Sequence, residues 1–257
     1  MARERLELAD GDFLDLDWCI RGGGRLAVLC HGLEGSSRDH YMRGMTRALG
    51  ARGWDVLAWN YRGCGGEPNR LLSSYHSGKT DDLDAVIRHA LTTRDHRTID
   101  LVGFSLGGNL ILKYLGESPG RTDRRLRRAV VFSVPCDLAC SAGALSKWRN
   151  RLYMGRFLRA LTEKLAEKDR RFPGRIDLSG LEKMSTFAEF DDRFTAPLHG
   201  FQSALDYWSR SSSRQFLNAL SVPTLLVNAA NDPFLGPRCY PFAEAEANPR
   251  LFLEVPD

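Results

Sequence analysis

The chain has 257 residues, of which 43% are apolar and 26% charged, with a formal net charge of +4. That balance excludes a disordered or fibrous chain, and the charge is too small to point to a nucleic-acid partner. No apolar run approaches the roughly 18 residues of a membrane helix and Met1-Ala-Arg-Glu-Arg-Leu-Glu7 gives a signal peptidase nothing to follow, so the expectation is a soluble cytoplasmic protein.

Short apolar, β-branched runs alternate with stretches of helical period, the pattern of parallel strands joined by crossover helices and hence of the α/β class. Phe13 to Ile20 reads as an edge hairpin strand that turns through Gly22-Gly23-Gly24 into a strand at Leu26 to Cys30. Val56 to Trp59 is the next strand. Leu83, Val86, Ile87, Ala90 and Leu91 then keep a 3.6-residue period behind Thr80-Asp81-Asp82, where a hydroxyl can cap the helix and the acids face its positive end. Ile99 to Val102 is a strand. Leu106, Leu110, Ile111, Tyr114 and Leu115 form the next helical stripe, ending before Pro119-Gly120, and Ala129 to Val134 is a further strand.

From about Pro135 to Gly200 the strand rhythm is absent. Met154, Leu158, Leu161 and Leu165 share one face of a basic stretch that stops at Pro173-Gly174, which predicts a helical cap inserted over about residues 136–200 of a single domain spanning 1–257. Thr224 to Asn228 and Leu251 to Val255 complete the strands. Lys147 to Arg175 holds ten Lys/Arg against three Asp/Glu, so this segment carries the whole positive excess. It reads either as a solvated helix face or, with Trp148 and Phe157 among the cations, as a contact for an anionic membrane surface. Arg121 to Arg128 reads as a solvated connection. Cys19, Cys30, Cys64, Cys136, Cys140 and Cys239 are scattered without a CxxC pair or zinc-site spacing, so reduced thiols, no metal and no cofactor are expected.

The chemistry concentrates at Gly103-Phe-Ser105-Leu-Gly107, a G-x-S-x-G between an apolar strand and an apolar-periodic helix. In such a nucleophile elbow small neighbours let the serine stand at the carboxyl ends of the strands, so Ser105 is the expected nucleophile. An acyl-transfer serine needs two donors for the developing oxyanion. The backbone N–H of Leu106 follows the nucleophile, and that of Leu33 lies in the His31-Gly32 loop after an earlier strand, where His31 shapes the loop and is not the base. Asp232, after the strand at Thr224, follows Ser105 in the order a triad acid takes in this arrangement, with Asp137 as the fallback. The six histidines (His31, His40, His76, His89, His96 and His199) all precede Asp232, so the order of the chain supplies no base.

Seven stretches taken together resemble one family: His31-Gly-Leu-Glu-Gly-Ser-Ser37, Asn60-Tyr-Arg-Gly-Cys-Gly-Gly66, Tyr75-His-Ser-Gly-Lys-Thr-Asp-Asp82, Gly103-Phe-Ser-Leu-Gly-Gly-Asn109, Phe190-Asp-Asp-Arg-Phe-Thr-Ala-Pro197, His199-Gly-Phe201 and Asn231-Asp-Pro-Phe234. The family is the α/β-hydrolase group of bacterial YheT proteins and the eukaryotic membrane-anchored α/β-hydrolase-domain lipases. The resemblance implies an α/β-hydrolase fold, mostly parallel with helices on both faces, and a serine hydrolase of short- to medium-chain acyl esters or lipids. It further implies Ser105 as nucleophile, Asp232 as acid, and His31, His40, His76 and His199 as motif residues other than the base. In the family a glycine-rich turn with the catalytic histidine and a last helix follow the strand matching Leu251 to Pro256; residues 1–257 do not include them, so the base is expected just past Asp257. Two other readings stay open, a non-catalytic member of the fold that binds a ligand or partner, and a thioesterase or amidase using the same serine.

Overall fold

The structure, a computed structural model, describes residues 1–257. Eight strands, numbered β1 to β8 in chain order, form one sheet in the spatial order Ala2–Glu7, Phe13–Cys19, Asp55–Asn60, Arg25–Cys30, Thr98–Phe104, Leu126–Phe132, Thr224–Val227 and Leu251–Glu254. The parallel strands are β3 (Arg25–Cys30), β4 (Asp55–Asn60), β5 (Thr98–Phe104), β6 (Leu126–Phe132), β7 (Thr224–Val227) and β8 (Leu251–Glu254). The apolar runs of the central strands β3 and β4 are covered on both faces, whereas edge strand β8 leaves Phe252 exposed. Leu26, Val28 and Cys30 join the larger core of 33 buried residues, while Ala27 and Leu29 face a smaller cluster on the other side. Helix α2 (Thr80–Thr93) and helix α3 (Leu106–Glu117) cover the first face with Leu83, Val86, Ile87, Leu110 and Ile111, and α1 (His40–Gly50) covers the second with Met42.

The amino end differs from the sequence expectation. β2 (Phe13–Cys19) is not the edge strand: it lies between β4 and β1 (Ala2–Glu7), antiparallel to both. Arg3 lies opposite Asp17 and Arg5 opposite Asp15, and both arginines bond those carboxylates. Such cross-strand ion pairs let a charged segment serve as an edge. Gly22 to Gly24 therefore connects β2 to β3 across β4, and Gly23 passes so close to Gly53 that a Cβ would run into its carbonyl oxygen. Nor does a hydroxyl cap α2, since Thr80 is already its first helical residue and Lys79 makes no side-chain cap. β6 starts at Leu126, inside the arginine-rich connection, with Arg127 and Arg128 exposed.

Between β6 and β7 the chain is helical: α4 (Leu138–Leu145), α5 (Arg151–Arg171), α6 (Phe187–Phe190), α7 (Ala196–Leu198) and α8 (Ala204–Ser211). These helices carry their own cluster of 13 buried residues, which begins at Leu138 and reaches past Gly200 to Trp208. A π-turn over Asp191–Thr195 joins α6 to α7. Asp191 accepts from Trp208 Nε1 at 2.8 Å and from Thr195 Oγ1 at 2.6 Å, and burial pushes its carboxyl up to about 6. α9 (Phe242–Ala247) precedes β8. All six cysteines are free, and no helix is long and apolar enough to cross a membrane.

Arg62, just after β4, ties the amino-terminal turn to α2. Its guanidinium makes two bonds to Asp82, at 2.7 and 2.8 Å, and reaches Asp10 and Asp12 at 2.7 and 3.2 Å. Arg62 and Asp82 are both buried, so losing the cation leaves carboxylates without compensation. Arg62→Met is expected to cost about 3–5 kcal/mol, read as a fall in the urea midpoint with unchanged slope.

Candidate active site

β5 ends at Phe104 and α3 begins at Leu106, which leaves Ser105 to make the whole turn. Its backbone sits at φ 53 and ψ −118, a region that costs a non-glycine residue on the order of 1–3 kcal/mol. The surroundings hold it there. Ser105 N–H donates to Phe132 O at 2.8 Å, and its carbonyl accepts from Gly108 and Asn109. A Cβ on Gly103 would stand 2.7 Å from Gly107 O, and one on Gly107 would meet the carbonyl oxygens of Cys30 and His31, the latter at 2.6 Å. Both glycines of the motif are thus needed for α3 to start against β3. Ser105 faces a cavity of about 440 Å³ beneath the helical segment, shared with Leu33, Leu106, His76 and His199.

The loop after β3 spends its backbone donors selectively. Gly32 N–H goes to Tyr41 Oη at 3.0 Å, Glu34 N–H to Tyr75 Oη at 2.9 Å and Gly35 N–H to Gly32 O at 3.1 Å. Leu33 N–H, between them, has no acceptor in the protein. Leu106 N–H opens a helix and has no intrahelical acceptor either. Both residues line the cavity with Ser105. His31 props the loop from behind: its Nε2 accepts from Tyr61 N–H at 3.2 Å, which leaves the proton on Nδ1 to donate to Gly32 O at 2.7 Å. Complete burial pushes its pKa down to about 3, so the ring is a neutral strut.

Asp232 lies in the loop after β7. Its Oδ1 accepts from Phe234 N–H at 2.9 Å, and its Oδ2 has no protein partner, so one oxygen is fixed and one is spare. Asp137 has neither oxygen spare, because it caps α4 through Cys140 N–H at 2.9 Å and pairs with Arg238 at 2.5 Å. The segment leaving β8 runs beside the Asp232 loop, with Ala230 N–H donating to Pro256 O at 2.8 Å. Phe234 and Leu235 line the cavity, and Asp232 is not among its lining residues.

The histidines divide by place. His40 is exposed on α1, His89 bonds Glu4 at 2.8 Å, and buried His96 bonds Asp55 at 2.9 Å. His76 and His199 share the cavity with Ser105, their rings 5.0 Å apart. Neither bonds Ser105 or Asp232. His76 Nδ1 accepts from Gly78 N–H, and the two nitrogens of His199 face the carbonyls of Thr195 and Ser74. Burial, reinforced for His76 by His199, lowers both pKa values.

Sequence reasoning missed a polar cluster in the cavity wall. Glu34 accepts from Tyr75 Oη at 2.6 Å and pairs with Lys164 of α5 at 2.9 Å, and Lys164 Nζ also lies 3.0 Å from Cys64 Sγ. Burial pushes the Cys64 thiol up to about 11. Burial opposes the charge on Lys164, but Cys64 and Glu34 outweigh it and its pKa rises. One turn further along α5, buried Lys168 bonds Asn69 Oδ1 at 2.6 Å and the carbonyls of Asn69 and Leu71. No spacing in the chain announces residues 34, 64, 75 and 164 as neighbours; only the folded path brings them together.

Comparison with known proteins agrees with this fold. The family described as alpha/beta hydrolase fold matches residues 27–257. The chain is 36% identical to YheT of Escherichia coli (strain K12), over 94% of this chain and 72% of that protein. It is 29% identical to the phospholipase ABHD3 of Mus musculus, over 97% of this chain and 63% of that one. It is 28% identical to the medium-chain fatty acid ethyl ester synthase/esterase 2 of Saccharomyces cerevisiae, over 88% of this chain and 55% of that one. The chain thus spans somewhat over half to about three quarters of these relatives. The structure of the esterase Pf2001 of Pyrococcus furiosus shares the fold, with a TM-score of 0.66, 18% identity, and coverage of all of this chain and 81% of that one.

Two measurements follow from the site. Ser105→Gly relieves the strained turn, so it is expected to raise stability by about 1 kcal/mol, seen as an upward thermal shift; a downward shift contradicts stored strain. His31 binds no proton in the folded state until about pH 3, whereas its unfolded pKa is the ordinary 6.5. Between those values the unfolded state holds the extra proton, so the histidine's cost is absent above pH 6.5 and grows as pH falls, by up to about 1.4 kcal/mol per unit. His31→Gln is expected to flatten the fall in unfolding free energy between about pH 6 and pH 4.5, measured by urea titration.

Proposed function

The chain belongs to the α/β-hydrolase family, among the relatives of YheT, and on that footing we propose that it is a serine hydrolase of carboxylic esters. One observation carries this reading. A serine in a strained turn faces the same cavity as two backbone N–H groups that the fold leaves without acceptors. In the proposed reaction Ser105 Oγ attacks the ester carbonyl carbon as its proton passes to an imidazole, and the oxygen that becomes negative is held by the N–H groups of Leu33 and Leu106. The imidazolium returns the proton to the departing alcohol. Water then repeats the attack on the acyl-serine and releases the acid. The spare Oδ2 of Asp232 would orient the imidazole and stabilise its charge.

None of the six histidines supplies that imidazole in the described geometry. We place it on residues that follow Asp257, because β8 carries the chain alongside the Asp232 loop. The cavity wall of Phe157, Leu161, Leu165, Phe187, Phe190 and Phe194 suits an acyl chain, which supports a short- to medium-chain ester or lipid as substrate.

The test uses a fluorophosphonate label and hydrolysis of a soluble short-chain ester. A chain extended past Asp257 is expected to label and turn over, Ser105→Ala to do neither, and residues 1–257 alone to turn over at least about 10³-fold more slowly. Turnover surviving Ser105→Ala removes the nucleophile assignment. Equal turnover by the short and extended chains removes the placement of the base, and an extended chain inert to both reagents supports the ligand-binding reading.

A further inference from the structure

Five basic residues, Lys147, Arg149, Arg151, Arg156 and Arg159, are exposed at the start of the cap's longest helix and the turn before it. None has a carboxylate within ion-pair distance, unlike Arg88, which pairs with Asp84, and Arg193, which pairs with Asp177. No Asp or Glu occurs between Lys147 and Thr162. Among these cations three large side chains stand in water: Trp148 is 79% exposed, Leu152 80% and Tyr153 49%. Further along the same helix Lys164 turns inward to Glu34 and Lys168 to Asn69, while exposed Arg170 pairs with Glu167 and Arg171 bonds the Asn69 carbonyl, so the cations without a protein partner lie in the amino-terminal half.

This tip is rigidly tied to the site. Asn150, 1% exposed, donates to Ala144 O at 2.9 Å and to Pro233 O at 2.7 Å, next to Asp232. Tyr153 packs edge-on against Phe234 at 4.8 Å, and Phe234 lines the cavity. A path of two aromatic rings thus runs from the exposed tip to the cavity that holds Ser105.

We infer that this tip is a docking surface for an anionic lipid bilayer, with Trp148, Leu152 and Tyr153 entering the interfacial layer and the five cations facing lipid phosphates. Exposed indole, phenol and aliphatic groups ringed by arginines match the chemistry of that layer, where aromatic rings sit at headgroup level and basic groups gain from negative surface potential. A soluble acidic partner would draw on the cations but leave Leu152 and Trp148 without a function. The inference deepens the hydrolase reading, since it would present the cavity to lipid esters, but it stands on surface geometry and is tested by binding alone.

The experiment is co-sedimentation of the chain with vesicles of phosphatidylcholine, or of phosphatidylcholine mixed with phosphatidylglycerol. Binding to the mixed vesicles is expected to be at least about tenfold tighter than to neutral ones at low salt and to weaken as salt rises. Arg149→Glu with Arg156→Glu and Arg159→Glu should abolish the preference for anionic lipid. Trp148→Ser with Leu152→Ser should weaken binding about tenfold while leaving those charges in place, and Trp148 fluorescence should shift to the blue on binding. Each variant must keep the unfolding midpoint of the parent. Equal binding to both vesicle types, no binding to either, or binding indifferent to Trp148 and Leu152 overturns the inference, the last in favour of a soluble polyanion. Turnover of a soluble ester reports the chemistry separately, so the two proposals fail independently.

Discussion

The site depends on how near α3 comes to β3. Gly107 lies against the carbonyl oxygens of Cys30 and His31, a separation that no side chain could occupy. Because the helix starts there, Ser105 must turn the chain within one residue, and the positive φ follows. The same approach brings the free end of α3 beside the His31 loop, so two backbone donors from distant parts of the sequence face one cavity. On the proposed reading, the placement of the nucleophile and the stabilisation of the anion both follow from a single contact between backbones.

The roof over that contact is fixed by a different kind of force. Apolar packing gives the cap its own core and sets Tyr153 and Phe157 against Phe234, and ionic or polar links add to it at α5 and the residue before it: Lys164 to Glu34, Lys168 to Asn69, and the Asn150 side chain to Pro233. Burying an ammonium is costly, and the surrounding acceptors offset that cost only in one arrangement. Burial and neighbouring Arg171 lower the pKa of Lys168 to about 8, which shows how much its three acceptors must counter. Such links add little net stability, but they define where the helix lies.

The parts of this molecule that were legible in its sequence share a cause. Leu26 to Cys30, Val56 to Trp59 and Ile99 to Val102 are largely apolar runs because helices cover both faces, and each is observed within one or two residues of those bounds. The serine motif was readable because its glycines are demanded by clearance. β1 was hidden because its alternation of Arg and Glu is satisfied by β2, a partner that local pattern does not reveal. For the same reason β2 reads as an edge from its sequence alone. The helix at His40–Gly50 presents only a narrow apolar face through Met42 and the half-buried Met45 and Leu49, too sparse to announce itself. Asp232 could be picked out by chain order, but the feature that separates it from Asp137, one unbonded oxygen against none, exists only in three dimensions.

Helix α5 is secured near its first turn by Asn150 and again in its second half by half-buried Lys164 and buried Lys168. A beam supported at both places does not swing. On the proposed reading the opening beneath it keeps its dimensions, and a molecule that does not fit is turned away before any chemistry begins. Selection in such an enzyme would resemble a sieve more than a hand closing on its object: what passes is decided by the girth of the side chains that hang from the beam.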